Sequence, residues 1–121
     1  MDAHKLLDEL ARRGEAGDAA GVAALCTPDL RFSQNIGTVG GVAELVSMVE
    51  LLNQLDVSVS YHDVRRIVTG DHAIEQHLLT LTRADGVSVS TDVCLVVRVS
   101  NGLIAEVDEY LDGAAIGTIF A

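Results

Sequence analysis

The spacing of the apolar residues changes near residue 56, from a helical period to an alternating one. In the first part of the chain, leucines, valines and alanines recur every three or four residues. This period predicts amphipathic helices, because residues at that spacing lie on one face of a helix. Three stretches show it: residues 2–18, 19–26 and 42–55.

The boundaries of these helices also have sequence signals. Asp2 and Asp18 stand where the N-caps of the first two helices belong, since a short carboxylate can accept hydrogen bonds from the free backbone N–H groups. Pro28 is expected to stop the second helix. Between the second and third helices, DLRFSQN (29–35) predicts a short strand and IGTVGG (36–41) a loop.

After residue 56 the alternation of apolar and polar residues predicts four strands. They cover residues 57–69, 72–84, 87–100 and 103–112. Gly70–Asp71, Asp85–Gly86 and Asn101–Gly102 separate them, and such pairs favour two-residue hairpin loops. Residues 113–121 are expected to be a short helical tail. The order predicts one α+β domain over 1–121, a cone-shaped α+β barrel whose three N-terminal helices pack on a curved antiparallel sheet and enclose a pocket.

Two-residue loops at all three turns would fix which side chains share a face, because directly opposed residues point the same way. His77 then lies opposite Cys94, Cys94 opposite Glu109, and Arg66 opposite Glu75. One face is mixed and carries His62, Val64, Arg66, Glu75, His77, Leu79, Asp92, Cys94, Val96, Val107, Glu109 and Leu111. The other is almost wholly apolar and carries Ile67, Ile74, Leu78, Val89, Val93, Leu95, Val97, Val99, Ile104 and Tyr110. An error of one residue in a loop turns a strand over.

The charge of the chain limits its partners. The net charge is −10, with 18 acidic residues against 8 Lys and Arg, and this charge repels phosphate-rich nucleic acid and anionic membrane, so neither is expected as a partner. No apolar run approaches the roughly 20 residues of a transmembrane helix, and the acidic start is unlike a signal peptide. Cys26 and Cys94 lack CxxC spacing, which is typical of reduced thiols in a cytoplasmic protein.

Three stretches resemble the nuclear transport factor 2-like superfamily, and within it the SnoaL-like polyketide cyclase and ketosteroid isomerase branch. They are EAGDAAGVAALCTPDLRF (15–32), GDHAIEQHLLTLTRADG (70–86) and VVRVSNGLIAEVDEYLD (96–112). With the order of elements, the resemblance covers nearly the whole chain. It implies the cone-shaped fold but no particular reaction, because the superfamily includes isomerases, cyclases, dehydratases, epoxide hydrolases and binding proteins.

The resemblance also selects a face of the sheet. In that superfamily the carboxylate before the tyrosine of the last strand looks into the pocket, which implies that Glu109 looks inward here. The mixed face is then the pocket wall, although the residues alone would favour the apolar face as the core. The resemblance further implies a homodimer, in which a second subunit covers the apolar outer face.

A pocket with these residues could catalyse proton transfer. A carboxylate at an apolar wall has a raised pKa, and two neighbouring acids can divide the acid and base roles. We therefore expect His77, Asp92 and Glu109 to be catalytic, with Glu109 or Asp92 as the general base and His77 as the acid or relay. The reaction would be isomerisation, cyclisation or dehydration of an apolar cyclic or polyketide-like compound. Further substrate contacts are expected from Ser33, Asn35, His62, Glu75, Cys94, Val107 and Leu111.

Structural roles compete with these assignments. Glu75 with Arg66 fits a cross-strand ion pair, Asn35 fits a turn, and Cys94 fits a small buried hydrophobe. The whole domain could also be a non-catalytic binding protein for an apolar small molecule, or an interaction module with a vestigial pocket.

Other chemistries have less support. The resemblance to limonene epoxide hydrolases places Glu109 and Asn35 at functional positions, but Ser33 replaces a tyrosine and the Arg-x-Asp pair of a strand is missing. An epoxide hydrolase would need an altered catalytic set. No cofactor or metal is expected, because HxH, HExxH and the phosphate-binding glycine signature are absent and His62 and His77 are out of register.

Overall fold

The computed structural model describes residues 1–121, apart from the side chain of Thr38. The helices are α1 (Ala3–Glu15), α2 (Ala19–Ala23), α3 (Val42–Gln54) and α4 (Gly113–Gly117), which a 3₁₀ turn follows (Thr118–Phe120). The strands are β1 (Cys26–Gln34), β2 (Gly37–Gly40), β3 (Ser58–Thr69), β4 (His72–Thr82), β5 (Ser88–Ser100) and β6 (Leu103–Leu111). These elements form an α+β fold with helices against one open sheet, as the sequence predicts.

The sheet has six strands in the order β2-β1-β6-β5-β4-β3. All neighbours are antiparallel except β1 and β6, which are parallel, so the sheet is mixed and the expectation of a purely antiparallel one is wrong. The stretch predicted as the loop IGTVGG contains β2, which forms a hairpin with β1. The structure therefore extends the predicted four-strand meander by a β1–β2 unit at the β6 edge.

The predicted N-caps are confirmed. Asp2 accepts a hydrogen bond from the Lys5 amide at 2.9 Å, and Asp18 accepts one from the Gly21 amide at 2.9 Å. The predicted role of Pro28 is wrong, because α2 already ends at Ala23 and Pro28 lies inside β1. The pairing of β1 with β6 is irregular between Cys26 and Arg31, so the missing N–H of the proline costs no regular ladder bond there.

The register of the sheet differs from the prediction at one loop. The turns at 70–71 and 101–102 are two-residue loops, as predicted, but Thr82 pairs with Ser88 and leaves five residues in the third loop. Its hydrogen bonds join Arg83 N to Val87 O and Gly86 N to Arg83 O. The pairing of β4 with β5 is thereby shifted by one residue, which turns β5 over, so that its apolar residues point inward and its predicted site residues outward.

Two irregularities in the strand pairing complete the change. The shift between Arg98 and Val99 reverses the effect of the loop, so β6 keeps the predicted face inward. A second shift, between His62 and Arg65, leaves Asp63 at φ 54° and turns over only the first half of β3. The predicted pair Arg66 and Glu75 is confirmed.

The core lies between the inner face of the sheet and the helices. Leu6 and Leu7 of α1 are each 1% exposed, and Val97 of β5 is 0% exposed. Helix α3 is different: the structure describes all its residues and none is fully buried, although its sequence is apolar. No helix in the described part of the chain is long and apolar enough to cross a membrane.

Candidate active site

A cavity of about 330 Å³ lies between the inner face of the sheet, α1, α3 and the C-terminal turn. Leu45, Met48 and Leu52 of α3 line it, which explains why an apolar helix has no fully buried residue. The cavity is at the small end of the roughly 300–1,000 Å³ range of ligand pockets. Its polar side chains are few: Gln34, Tyr61, Glu75, His77 and Glu109.

His77 lies in the wall of this cavity and is 6% exposed. Its Nδ1 is 2.8 Å from Oε2 of Glu75. Its Nε2 is buried and has no hydrogen-bond partner among the described residues. The ring of Tyr61 packs edge-on against the imidazole, with centroids 5.1 Å apart. Both residues line the cavity, so the imidazole is contacted at Nδ1 and by the Tyr61 ring while Nε2 makes no hydrogen bond among the described residues.

Glu75 is ionised by its surroundings. Burial alone would raise its pKa, but hydrogen bonds and charges from His77 and Arg66 together lower it below the ordinary value. Arg66 donates to Oε1 of Glu75 from Nη2 at 2.6 Å and from Nε at 3.0 Å. An ionised Glu75 can only accept, so Nδ1 of His77 donates this hydrogen bond and Nε2 is the ring nitrogen without a partner.

Glu109 lies across the cavity from Glu75. Both pair with Leu95 of the intervening β5, which separates their backbones by two strand spacings, about 9–10 Å. Gln34 of β1, the register partner of Glu109, donates a hydrogen bond to Oε1 at 2.8 Å. Burial raises the pKa of Glu109, and the opposing effects of Gln34 and His77 are smaller. The site thus holds one acid kept ionised and one pushed toward protonation.

Five of the predicted site residues line this cavity. They are Glu75, His77, Val107, Glu109 and Leu111. The structure therefore brings His77 and Glu109 to one site. The competing interpretation of Glu75 as the ion-pair partner of Arg66 is confirmed as well, because the same carboxylate makes both contacts.

Asp92 and Cys94 do not reach the cavity. They were placed inside by the two-residue count at Asp85–Gly86, and the five-residue loop puts them on the outer face instead. Asp92 is exposed, and Cys94 lines an outer hollow with Tyr110 rather than the cavity. Because Val93 and Leu95 are buried on the inner face of β5, the alternate residues Asp92 and Cys94 point outward.

His62 is also outside, because the shift in the pairing of β3 with β4 turns it over. It pairs with Leu78, not Leu79, and its Nε2 is 2.9 Å from the hydroxyl of Ser60 on the outer surface. His62 and His77 therefore point to opposite sides of the sheet. Among the described residues no group of three or more His, Cys, Asp or Glu could hold a metal ion.

Ser33 and Asn35 have structural contacts. Ser33 is buried, but its hydroxyl donates to Asp108 on the outer face at 2.5 Å. Asn35 is an exposed turn residue with φ 51°, and its Oδ1 accepts a hydrogen bond from the Leu111 amide at 3.0 Å. The backbone N–H of Asn35 donates to the backbone carbonyl of Glu109 at 2.8 Å. Asn35 thus fixes the strand that carries Glu109 without lining the cavity itself.

Tyr61 and Gln34 are the site residues that the sequence analysis missed. Tyr61 shares the alternating phase of Val59, and that phase would have placed it inside if the shift at His62–Arg65 had been known. Gln34 lies two residues after the buried Phe32 in β1, so the two side chains point to the same face of the sheet. The parallel pairing of β1 with β6 brings Gln34 beside Glu109, and the sequence has no local signal for this pairing.

Comparison with known proteins places this fold and cavity in a family. A family model described as the SnoaL-like domain matches residues 6–107. The chain belongs to the SnoaL-like domain family. This confirms the resemblance inferred from the three sequence stretches, and solved structures of nuclear transport factor 2-like and ketosteroid isomerase-like proteins agree with it.

The solved structures similar to this SnoaL-like domain show its fold. A putative polyketide cyclase from Pseudomonas putida KT2440 has a TM-score of 0.82 at 20% identity, with 96% of each chain covered. An LEH-like epoxide hydrolase from M. tuberculosis has a TM-score of 0.78 at 16% identity, with 94% of this chain and 85% of that chain covered. A comparison with curated protein sequences finds no match.

The raised pKa of Glu109 predicts that this SnoaL-like domain becomes more stable when Glu109 is replaced by Gln. The folded state holds this proton more tightly than the unfolded chain, so wild-type stability falls as pH rises from the unfolded pKa to the folded one. Each unit of difference between the two pKa values corresponds to about 1.4 kcal/mol. Above that window we expect Glu109→Gln to have the larger free energy of unfolding in urea.

The matched control for this experiment is Asp92→Asn, which also removes one negative charge but on the exposed outer face. A gain common to both variants would reflect the net charge of −10 and not the burial of Glu109. The stability difference between Glu109→Gln and wild type should disappear below about pH 4, where the acid is protonated in both states. A difference that persists there contradicts the assignment.

Proposed function

We propose that this SnoaL-like domain is a cofactor-independent enzyme that catalyses proton transfer on an apolar cyclic or polyketide-like molecule. The observation that carries the proposal is Nε2 of His77, a buried polar atom without a partner among the described residues, in a side chain that lines an apolar cavity. An unsatisfied polar atom of this kind costs stability unless a ligand completes its hydrogen bonding. The ionised Glu75 behind the ring gives that atom the character of a base.

The contrasting environments of the two acids assign the roles. Glu75 stays ionised and orients His77, so His77 is the general base, while Glu109 is the general acid. This replaces the assignment made from sequence, in which Glu109 or Asp92 was the base. A ligand that fills the cavity excludes water, which raises the pKa of Glu109 further and strengthens its role as donor.

The reaction follows from these roles. Nε2 of His77 takes a proton from the carbon next to a carbonyl group, and the electron pair moves into the enol whose oxygen takes the proton of Glu109. Return of a proton to another carbon gives isomerisation. Attack of the enol carbon on a second carbonyl closes a ring, and loss of a β-hydroxyl as water gives dehydration. In each outcome the protonated His77 gives up its proton, to the second carbon, to the alkoxide formed by ring closure or to the leaving hydroxyl, and the enol oxygen returns its proton to Glu109.

The similar structures give this proposal partial support. The P. putida and Xanthomonas campestris proteins are described as putative polyketide cyclases, which fits ring closure in an apolar cavity. Epoxide hydrolysis has less support from the site, although an LEH-like epoxide hydrolase shares the fold. Its water-positioning asparagine would be Asn35, and the amide oxygen of Asn35 is already bonded to Leu111.

The test is hydrogen exchange in D2O with a set of apolar cyclic ketones, followed by NMR of the ketone. It detects proton removal even when no net product forms. We expect wild type and Asp92→Asn to accelerate exchange of at least one ketone equally, because Asp92 lies outside. A ketone that binds, perturbs the resonances of His77 and never exchanges would show a binding protein and contradict the enzyme proposal.

The homodimer stays a proposal, but the surface that supports it has changed. Val93, Leu95 and Val97, which the sequence placed outside, are buried in the core of the subunit. The outer face still exposes Ile67 and Ile74, which are 68% and 46% exposed. We propose that a second copy covers this smaller patch, and sedimentation velocity over a range of concentrations would detect it.

A further inference from the structure

Arg66 joins the buried end of the site to the first helix. Besides its two bonds to Glu75, Nη2 donates to Oδ1 of Asp8 at 3.0 Å, and Nη1 donates to the carbonyl of His4 at 3.1 Å. The Nδ1 of His4 is 3.3 Å from the same Nη1. The side chain of Arg66 is 11% exposed, and Arg66 is not among the residues that line the cavity. Its guanidinium therefore serves Glu75 and α1, not the ligand.

We propose that Arg66 and Asp8 are positioning residues of the site: α1 holds the guanidinium, the guanidinium holds Glu75, and Glu75 fixes the ring of His77 through Nδ1. This inference rests on the proposed function for its catalytic meaning. The positioning of Glu75 and His77 can be tested in the protein without any substrate.

Each group in this series of hydrogen bonds has defined partners. Oε2 of Glu75 contacts His77 and Oε1 contacts Arg66, so the carboxylate is held at both ends. Arg66 uses its fork to contact Glu75 and α1 at once, which Lys could not reproduce because its ammonium group is a point donor. Asp8 has no contact with Glu75 among the described residues, and its side chain is 71% exposed, so it can act on the site only through Arg66 or through its charge.

Removal of Arg66 should change the tautomer of His77. Glu75 is buried, and without the guanidinium burial would favour its protonated form. A protonated carboxyl can donate to Nδ1, which moves the ring proton to Nε2 and removes the lone pair from that nitrogen. The other ionisable groups around His77 and Glu75 are Tyr61 of β3 and Glu109 of β6, together with His4 and Asp8 of α1.

The experiment is NMR of the substrate-free protein, with ring ¹⁵N shifts to report the tautomer of His77 and carboxyl ¹³C shifts to titrate Glu75. For Arg66→Met we expect the pKa of Glu75 to rise by about one unit or more, because a neighbouring Arg lowers a carboxyl pKa by roughly 1–3 units. The Nε2–H tautomer should become populated. Arg65→Met is the matched control, since Arg65 is the exposed neighbour.

Asp8→Asn separates positioning from simple electrostatics. Loss of a nearby negative charge alone would lower the pKa of Glu75, whereas release of Arg66 would raise it. We expect a rise, and we expect none for Glu9→Gln, whose carboxylate pairs with Arg12 and Arg13 on the same helix. The effect of Asp8→Asn should vanish when Arg66 is already Met, because the two residues act through one contact.

Each outcome decides the proposal. It is overturned if folded Arg66→Met keeps both the Glu75 titration and the His77 tautomer of wild type, or if Asp8→Asn lowers or does not change the pKa of Glu75. Should Arg66→Met fail to fold, Asp8→Asn decides alone, because its site is on the surface. Failure of ketone exchange in a wild type with the expected tautomer would contradict the proposed function and not the positioning.

Discussion

His77→Gln is expected to reduce ketone exchange by roughly 10²–10⁴-fold, the range that a positioned general base contributes. The glutamine amide can still donate to Glu75 and keep that buried carboxylate paired. It cannot take a proton at the position of Nε2, because an amide has no basic nitrogen. The loss should therefore appear in the rate of exchange, while ketone binding and the free energy of unfolding change much less.

The matched control is His62→Gln on the same sheet. His62 faces outward and contacts Ser60, so this variant should exchange ketone at the wild-type rate. The comparison also tests the register, because a regular pairing of β3 with β4, without the shift between His62 and Arg65, would put both histidines on the cavity side. Equal losses in the two variants would contradict the structure, and retention of exchange in His77→Gln would contradict the role of His77 as base.

Leu6→Ala is expected to destabilise the domain by about 2–5 kcal/mol, which is a large part of the roughly 5–15 kcal/mol that holds a typical domain together. Leu6 is 1% exposed and packs α1 onto the sheet. Truncation would leave a void under the helix that carries Asp8, and little of the surrounding core could collapse into it. Urea unfolding should show the loss as a lower midpoint with an unchanged slope.

Leu45→Ala makes the same chemical change in α3 with a smaller expected effect, at most about half that of Leu6→Ala. Leu45 is half-buried because it borders the cavity, so its truncation enlarges existing space and creates no new void. The same variant should weaken the binding of any ketone that fills the cavity. Equal destabilisation by the two substitutions would mean that α3 packs as a core helix and that the cavity is closed.

The family resemblance and the apolar pattern of β5 predict opposite faces of the sheet as the inner one. The resemblance required Glu109 to face inward, and the pattern required Val93, Leu95 and Val97 to do so. Both requirements are met, because Leu95 and not Cys94 is the partner of Glu109. The apparent conflict disappears because the pairing of β5 with β6 shifts by one residue between Arg98 and Val99.

Much of the site could be found from the sequence. Glu75 and His77 are two residues apart in one strand and therefore share a face. The tight turn at Gly70–Asp71 predicts that Arg66 pairs with Glu75, and the family resemblance predicts that Glu109 faces inward. These residues were found because their placement depends on one short hairpin or on no pairing at all. Asp92 and His62 were misplaced because each lies beyond a loop or a bulge whose extra residue has no unambiguous sequence signal.

The sequence by itself determined the helices, the four long strands, the acidic surface and the family of this domain, since periodicity, capping and composition are local properties. The tertiary structure alone decided the register of β5, the parallel pairing that brings Gln34 to Glu109, and the contact of Asp8 with Arg66. These depend on hydrogen bonds between distant segments, and a shift of one residue exchanges the two faces of a strand. The strand register of the folded protein therefore places Glu109, and not Asp92, in the cavity.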